Sequence, residues 1–200
     1  MSVIVDGTNG LTFPNSSTQT VAGAPLATPS FTSTIGVGNT TASASGAGVS
    51  FPATQSASSD ANTLDDYEEG TWTPTFVSGA GSFGSISYQN RSGYYTKIGN
   101  LVFVGGQFYT SSLAAGTASG QVSIGGLPFM GNAGIEWAAY LRGDIRGFTT
   151  QQPKIAGVNY DRIQLYYFSS LTADTTGLGV ANLTTSGNSN IIGFAAVYQL

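Results

Sequence analysis

The chain has 200 residues, a formal net charge of −4, 8% charged residues, and neither histidine nor cysteine. This length suits one domain with a sizeable core and is too short for two ordinary domains. The acidic balance argues against nucleic acid as a partner, because that affinity depends on clustered Lys and Arg. The lack of His and Cys excludes disulfides, the usual zinc, haem and iron–sulfur ligands and His-dependent hydrolases, so we expect no cofactor.

The N-terminal residues 1–61 have the composition of a tail. Of the first 65 residues, 38 are Ser, Thr, Gly or Ala, and none is Lys or Arg. Such a segment buries too little apolar surface to offset the entropy of ordering it. One interpretation is a flexible linker. The other, which we prefer, is an extended low-complexity tail that intertwines with identical copies and docks on another protein.

Short apolar motifs in this tail are candidates for the docking contacts. The motif Gly-Leu-Thr-Phe-Pro at residues 10–14 returns 38 residues later as Gly-Val-Ser-Phe-Pro at residues 48–52. A short strand is predicted at residues 3–5, where Val-Ile-Val precedes turn dipeptides. The opening residues lack a basic start and a long apolar stretch, so we expect synthesis in a cytoplasm without membrane insertion. The candidate attachment residues are Val3, Ile4, Val5, Leu11, Phe13, Pro14, Phe31, Phe51 and Pro52.

Residues 62–74 join this tail to the rest of the chain, and we call them the neck. Four of the five positions 65–69 of the neck are carboxylates, namely Asp65, Asp66, Glu68 and Glu69. Calcium favours several oxygen ligands on one loop, but the cluster lacks the spaced Asp, Asn and Gly pattern of a calcium loop. Neighbouring residues of an extended chain also point to opposite sides. We therefore favour a solvated or interchain polar collar over a metal site.

Residues 75–200 have the pattern of an all-β head domain. Alternation through Gly93–Gly99 and again through Leu101–Tyr109 predicts a hairpin with Gly99-Asn100 at its turn. Short β-branched and aromatic segments separated by Gly, Asn and Ser, without helical periodicity, are typical of an antiparallel β-sandwich or jelly roll. Further strands are predicted at Ser85–Tyr88, Gln121–Ile124, Ile135–Leu141, Asp144–Phe148, Ile155–Val158, Arg162–Phe168 and Ile191–Tyr198. The sequence therefore predicts eight or nine strands in the head.

The neck and three other segments carry a family resemblance. The longest segment comprises residues 49–55 and continues through residues 59–74, where it ends in Asn-Thr-Leu-Asp-Asp-Tyr-Glu-Glu-Gly-Thr-Trp-Thr-Pro. The others are Gly-Tyr-Tyr-Thr-Lys-Ile-Gly-Asn-Leu-Val at 93–102, Phe-Ala-Ala-Val-Tyr at 194–198, and the opening residues 5–14. Together they closely resemble segments of tail-fibre and other virion structural proteins of tailed bacteriophages.

The resemblance implies a homotrimeric virion protein, assembled in the cytoplasm of the host bacterium. Its N-terminal tail would bind another virion protein of the tail, collar or capsid, and its C-terminal β head would be displayed outward. In such a trimer the candidate packing residues of the neck are Leu64, Tyr67 and Trp72. We expect Trp72, which marks the entry of the chain into the head, to be buried.

Tyrosines are the candidate receptor-binding residues of the head. A tyrosine ring can stack on a sugar ring, and tyrosine also fills sandwich cores and trimer interfaces, because it is large and has a polar tip. The pairs Tyr94-Tyr95 and Tyr166-Tyr167 each lie within a predicted strand. One residue of each pair should face inward and the other outward. The outward residues are the candidates for glycan contact.

Two functions remain open at this stage. The head binds a glycan of the host surface, or the protein is a purely structural head fibre, collar fibre or capsid-decoration trimer that cements neighbouring virion subunits. An enzyme is not expected. Glycosidases need two carboxylates across a sugar, and the head carboxylates Glu136, Asp144, Asp161 and Asp174 show no pairing in the sequence.

Overall fold

The computed structural model describes residues 4–6, 10–12, 18–19, 35–37, 40–41, 48–55, 58–60, 62–143, 145–170 and 174–200. The chain divides into two compact units, residues 1–50 and residues 51–200. The neck and the Phe51-Pro52 pair therefore belong to the same unit as the predicted head, whereas residues 48–50 of the second motif belong to the first unit. No helix in the described part of the chain is long and apolar enough to cross a membrane.

The first unit contains short strands. Strands β1 (Ile4–Asp6), β2 (Gly10–Thr12) and β3 (Thr18–Gln19) form a small antiparallel sheet. Strands β4 (Ile35–Gly36) and β5 (Val49–Ser50) pair in parallel. The predicted strand at residues 3–5 is present, one residue later in the chain. Of the predicted attachment residues, Ile4, Val5 and Leu11 lie in these strands, whereas Val3, Phe13, Pro14 and Phe31 lie outside the described residues.

The second unit is built from one ten-stranded sheet whose pairings are all antiparallel. The described residues contain no α-helix and one 3₁₀ turn, Val180–Asn182. The all-β prediction is therefore confirmed. The strands are β6 (Tyr67–Trp72), β7 (Thr75–Ala80), β8 (Ser85–Ile98), β9 (Leu101–Ala114), β10 (Ser119–Gly125), β11 (Glu136–Leu141), β12 (Ile155–Asn159), β13 (Arg162–Phe168), β14 (Thr175–Gly177) and β15 (Ser186–Gln199).

The sheet curls on itself. Its strand order is β6-β8-β9-β15-β11-β12-β13-β10-β7, with β14 paired to β13. The two end strands, β6 and β7, are joined only by Thr73 and Pro74, and such a connection spans at most about 11 Å. The ends of the sheet must therefore approach each other. Tyr88 of β8, the strand next to β6, bonds to the opposite end of the sheet, because its hydroxyl accepts a hydrogen bond of 2.8 Å from the Phe76 amide of β7.

Alternating side chains fill the inside of the curl. In β9, Val102, Val104 and Phe108 are fully buried. The rings of Phe76 and Phe108 pack edge to face at a centroid distance of 4.7 Å, and aromatic pairs of this geometry contribute about 0.5–1.5 kcal/mol beyond burial. Tyr198 of β15 is also fully buried, and its hydroxyl donates to the Phe129 carbonyl oxygen at 2.9 Å.

The predicted hairpin is confirmed, since β8 and β9 pair on either side of a turn at Gly99-Asn100. Of the strand predicted at 144–148, Asp144 lies outside the described residues, and residues 145–148 do not form a strand. Arg146 and Phe148 make only isolated bridges to Ile191 and Leu183, because Gly147 between them has a φ of 79°, which breaks an extended backbone. The prediction missed β6, β7 and β14.

Candidate functional site

The neck carboxylates each have a partner of their own. Asp66 is buried and forms an ion pair with Lys97 of β8, whose ammonium lies 5.7 Å from the centre of the Phe129 ring. Glu68 and Glu69 point to opposite sides of β6, where they accept hydrogen bonds from tyrosine hydroxyls of β8 and β6 respectively. Within the described residues no group of three acidic side chains could hold a metal ion.

Asp65 organises the chain before β6. Its carboxylate accepts hydrogen bonds from the Ser58 amide at 2.7 Å and from the Gln55 side chain at 3.2 Å. The Ser58 amide holds the pKa of Asp65 below its usual value. Phe51 and Pro52 are half-buried, and the Phe51 ring lies 6.5 Å from the Tyr67 ring. Two predicted attachment residues therefore stand beside the neck.

The three predicted packing residues of the neck have different environments. Trp72 is buried in the core of its own chain, as predicted, with its ring 5.7 Å from that of Phe194. Leu64 and Tyr67 are exposed. The hydroxyl of Tyr67 donates to Glu69, which raises the pKa of this tyrosine. Only Leu64 and Tyr67 are therefore placed for contact with another chain.

Tyr67 belongs to an exposed apolar patch on the outer face of the sheet. Register places Tyr67 opposite Ile98, and Ile98 opposite Leu101. Phe103 and Val197 form the next row on the same face, because they are paired with each other two residues further along. All five side chains are more than a third exposed. We call Tyr67, Ile98, Leu101, Phe103 and Val197 the apolar patch.

In each of the two predicted tyrosine pairs, one side chain faces the core and the other faces outward, as predicted. Tyr94 is 56% exposed, whereas Tyr95 packs on the Phe129 ring at 5.4 Å and donates to Glu68, which raises its pKa. Tyr167 packs against the core. Tyr166 faces the other way, and its hydroxyl donates to Glu136 at 3.0 Å. Burial raises the pKa of Tyr166. Of the two outward tyrosines, only Tyr94 lines a depression of the surface described below.

Next to the apolar patch, the outer face carries a shallow groove of about 420 Å³, within the usual size of ligand sites. One cross-strand row forms its aromatic side, in the order Tyr94, Gly105, Ala195 and Tyr140. Three steps between neighbouring strands separate the two tyrosines, about 14 Å along the row. Tyr140 is 71% exposed. Because the two residues between them are small, the tyrosines stand as walls on either side of a low floor.

A polar row runs parallel to the aromatic row, two residues further along each strand. It contains Ser92, Gln107 and Gly193 in register, and Arg142, whose amide donates to the Gly193 carbonyl oxygen at 2.8 Å. The Arg142 Nη1 donates to Gln107 Oε1 at 3.2 Å. A Cβ at Gly193 would meet Arg142 Cδ at 3.0 Å, so the arginine stem lies against this glycine. The groove therefore sets two aromatic walls beside a row of hydrogen-bonding groups.

Sequence reasoning found Tyr94 but missed Ser92, Gln107, Tyr140 and Arg142. The pairing of β9 with β15 brings together residues about 90 positions apart, and no local pattern specifies it. One local signal existed, because Gly105, Gly106 and Gly193 interrupt predicted strands. A glycine inside a strand often marks the close approach of another group.

Two of the remaining head carboxylates have hydrogen-bond partners among the described residues. Glu136 accepts the Tyr166 hydroxyl, and Asp161 is bound in bidentate fashion by Arg162 at 2.7 and 3.0 Å. This arginine holds the pKa of Asp161 below its usual value. Asp174 is exposed, and Asp144 lies outside the described residues.

The chain matches no protein-family model, and comparisons with curated proteins and with solved structures likewise find no match. The groove, the apolar patch and the sequence resemblance are therefore the grounds on which function is argued.

Proposed function

We propose that the chain is a virion fibre protein of a tailed bacteriophage, with an N-terminal part that attaches to the particle and a β-sheet unit that binds the host surface. The family resemblance of the neck supports the first half of this proposal. The observation that carries the second half is the groove between Tyr94 and Tyr140. Under this proposal the protein is a component of the virion and is not an enzyme.

The chemistry of the groove suits a glycan. Exposed tyrosine rings offer flat apolar faces with a polar tip, and a sugar presents a flat apolar face and a rim of hydroxyls. Gln107 and Ser92 supply amide and hydroxyl groups that both donate and accept hydrogen bonds. The groove is open and shallow, which suits a chain of sugars better than a small buried metabolite.

We also propose that the protein is a homotrimer whose sheet forms a sandwich-like head. The apolar patch supports self-association, because monomeric proteins rarely leave a large contiguous apolar surface in water. Leu64 is 58% exposed and precedes the patch in sequence. Sedimentation of the full-length protein tests this point. A trimer is expected, and Phe103→Ser with Val197→Ser should yield smaller species, whereas a wild-type monomer at micromolar concentration contradicts the proposal.

Host attachment is tested by adding labelled full-length protein to a panel of bacterial strains and measuring binding by flow cytometry. Saturable binding to at least one strain is the expected result. The control is protein with Tyr94→Ser and Tyr140→Ser, which should not bind. If no strain binds the wild-type protein even when it is multivalently displayed, the attachment function is wrong.

A structural role is the second candidate, and the apolar patch favours it. Under this alternative the patch packs against neighbouring virion subunits, and the protein is a head fibre, collar fibre or capsid-decoration trimer. Deletion of residues 1–50 removes the first unit and distinguishes the two candidate functions. Both candidates predict loss of incorporation into particles, but only the attachment function predicts that the remaining unit still binds cells.

A further inference from the structure

Two directions lead out of the groove on the outer face of the sheet. Along the strands, the groove continues into a second depression of about 300 Å³, which shares Gln107 with it and is lined further on by Tyr109. Across the strands, it follows the row of residues that contains Tyr94 and Tyr140. The direction in which a long ligand lies decides which further side chains it contacts.

The row across the strands continues beyond Tyr140 to a third tyrosine. The register of β11 against β12 places Tyr140 beside Ile155, and Ile155 pairs with Tyr166 of β13. The outward side chains of Tyr94, Tyr140 and Tyr166 therefore lie on one row, and we call these three residues the tyrosine row. Five steps between neighbouring strands separate its first residue from its last, about 24 Å.

The rings at the two ends of the tyrosine row are held in place by their own chain. A Cβ at Gly105 would meet Tyr94 Cζ at 2.6 Å, so the Tyr94 ring leans over this glycine. The same ring lies 6.1 Å from that of Phe103. Tyr166 is half-buried, and its hydroxyl donates to Glu136 at 3.0 Å. Because these rings are already positioned, a ligand that stacks on them costs little side-chain entropy.

The residues between the tyrosines keep the row low and apolar. Gly105 and Ala195 separate the first two tyrosines, and Ile155, which is 38% exposed, separates the second from the third. Of the aromatic residues that line the second depression, Phe108 is fully buried and Tyr109 is half-buried. The row across the strands therefore offers a longer run of aromatic and apolar surface than the path along them.

Small residues lie at both ends of the tyrosine row. Among the described residues, the row begins beside Thr71 of β6 and ends beside Gly177 of β14, and both are too small to close it. A chain-like ligand bound along the row therefore continues past both ends. This geometry suits an internal stretch of a polymer and not its terminal sugar.

We infer that the ligand of the groove is an internal stretch of a linear polysaccharide that runs across the strands over Tyr94, Tyr140 and Tyr166. The length of the row corresponds to about five linked sugar rings. This inference rests on the proposed attachment function and names the length and direction of its ligand. Single-stranded nucleic acid also stacks on aromatic side chains, but a chain of net charge −4 is poorly suited to binding phosphates. Nucleic acid is therefore an outcome of the test and not the proposal.

The test uses full-length protein and the purified surface polysaccharide of a strain that the protein binds. Partial acid hydrolysis of this polysaccharide gives fragments that are sorted by length, and titration calorimetry measures their affinities. Affinity should rise with fragment length up to about five sugars and then level off. Tyr166→Ser should weaken the binding of the longest fragments at least about fivefold. It should leave unchanged the binding of fragments of about three sugars, which reach only from Tyr94 to Tyr140.

Two further variants serve as controls, and the melting temperature of each variant is measured alongside. Tyr166→Phe keeps the ring and removes the hydrogen bond to Glu136. It should bind like wild type, whereas a role limited to that hydrogen bond would make it resemble Tyr166→Ser. Tyr109→Ser removes the tyrosine that lies along the strands from the groove, and it should leave affinity unchanged.

The outcomes separate the inference from the proposed function. Affinity that stops rising at about three sugars, or that Tyr166→Ser leaves unchanged for every fragment, overturns the inference and leaves attachment standing. A loss of affinity in Tyr109→Ser and not in Tyr166→Ser means that the ligand follows the strands, and it overturns the inference as well. Tighter binding of a dT oligomer than of every fragment overturns it in favour of nucleic acid. If Tyr166→Ser does not fold, the length series of the wild-type protein decides alone. Absence of binding to all cells overturns both.

Discussion

Trp72 of β6 lies directly against Gly93, its registered partner in β8. A Cβ at Gly93 would meet Trp72 Nε1 at 2.6 Å, which is too close for any real contact. The same indole donates a hydrogen bond of 3.2 Å to the Tyr94 carbonyl oxygen. Trp72 therefore reaches the core only because position 93 has no side chain.

Gly93→Ala should destabilise the protein by about 1–3 kcal/mol, because the added methyl forces the indole out of its position. Urea unfolding followed by tryptophan fluorescence measures this change. Gly143→Ala is the control, since a Cβ there meets nothing within 4 Å, and its effect should stay within about 0.5 kcal/mol. Equal stability of the two variants would show that Trp72 does not depend on Gly93.

The buried ion pair between Asp66 and Lys97 fastens the neck to the hairpin of β8 and β9. Lys97→Met should cost about 3–5 kcal/mol, because it leaves a buried carboxylate without a partner. The double variant Asp66→Leu with Lys97→Met should recover most of this loss. Glu69→Gln, which alters an exposed carboxylate of the same neck, should change the unfolding free energy by less than about 1 kcal/mol. A Lys97→Met protein as stable as wild type would contradict the structural role of the pair.

Asn190 is fully buried at a bulge of β15, with a φ of 51°. Its side-chain amide donates to Thr110 Oγ1 and to the Thr184 carbonyl oxygen, and its side-chain oxygen accepts from the Thr184 amide, each at 2.8 Å. Asn190→Ala should cost at least about 2 kcal/mol, because buried polar groups lose their partners. Asn188→Ala, at an exposed site two residues away, serves as the control in the same thermal unfolding experiment. A change in melting temperature no larger than that of the control would refute the assignment.

Alkaline pH should destabilise the protein through Tyr198. Burial raises the pKa of its hydroxyl well above the usual value of 10.0, so the folded state keeps a proton that the unfolded state loses. The stabilisation is fully present below about pH 10 and is lost as the pH rises beyond it. Tyr198→Phe should therefore show a smaller fall in melting temperature between pH 9 and 11 than wild type. Identical pH profiles would rule out this contribution.

Local patterns predicted the strands better than they predicted the site. The alternation around Gly99-Asn100 sufficed for the hairpin because both of its strands are adjacent in sequence. Strand β6 was missed because the four carboxylates of residues 65–69, two of which lie within Tyr67–Trp72, give this segment the composition of a loop. Asp66, just before the strand, and Glu68 within it nevertheless have partners in β8. The groove could not be predicted, because Tyr140 meets the Tyr94 row only through the pairing of β11 with β15. That pairing is long-range and depends on the curl of the whole sheet.

We propose the groove between Tyr94 and Tyr140 as the site that binds the host surface. The most direct measurement is the affinity of full-length Tyr140→Ser protein for a strain that wild type binds. Tyr160→Asn is the matched control, because it removes another exposed tyrosine and asparagine tolerates the positive φ of that turn. We expect at least about tenfold weaker binding for Tyr140→Ser, with an unchanged melting temperature, and wild-type binding for the control. Wild-type affinity of Tyr140→Ser would contradict the claim.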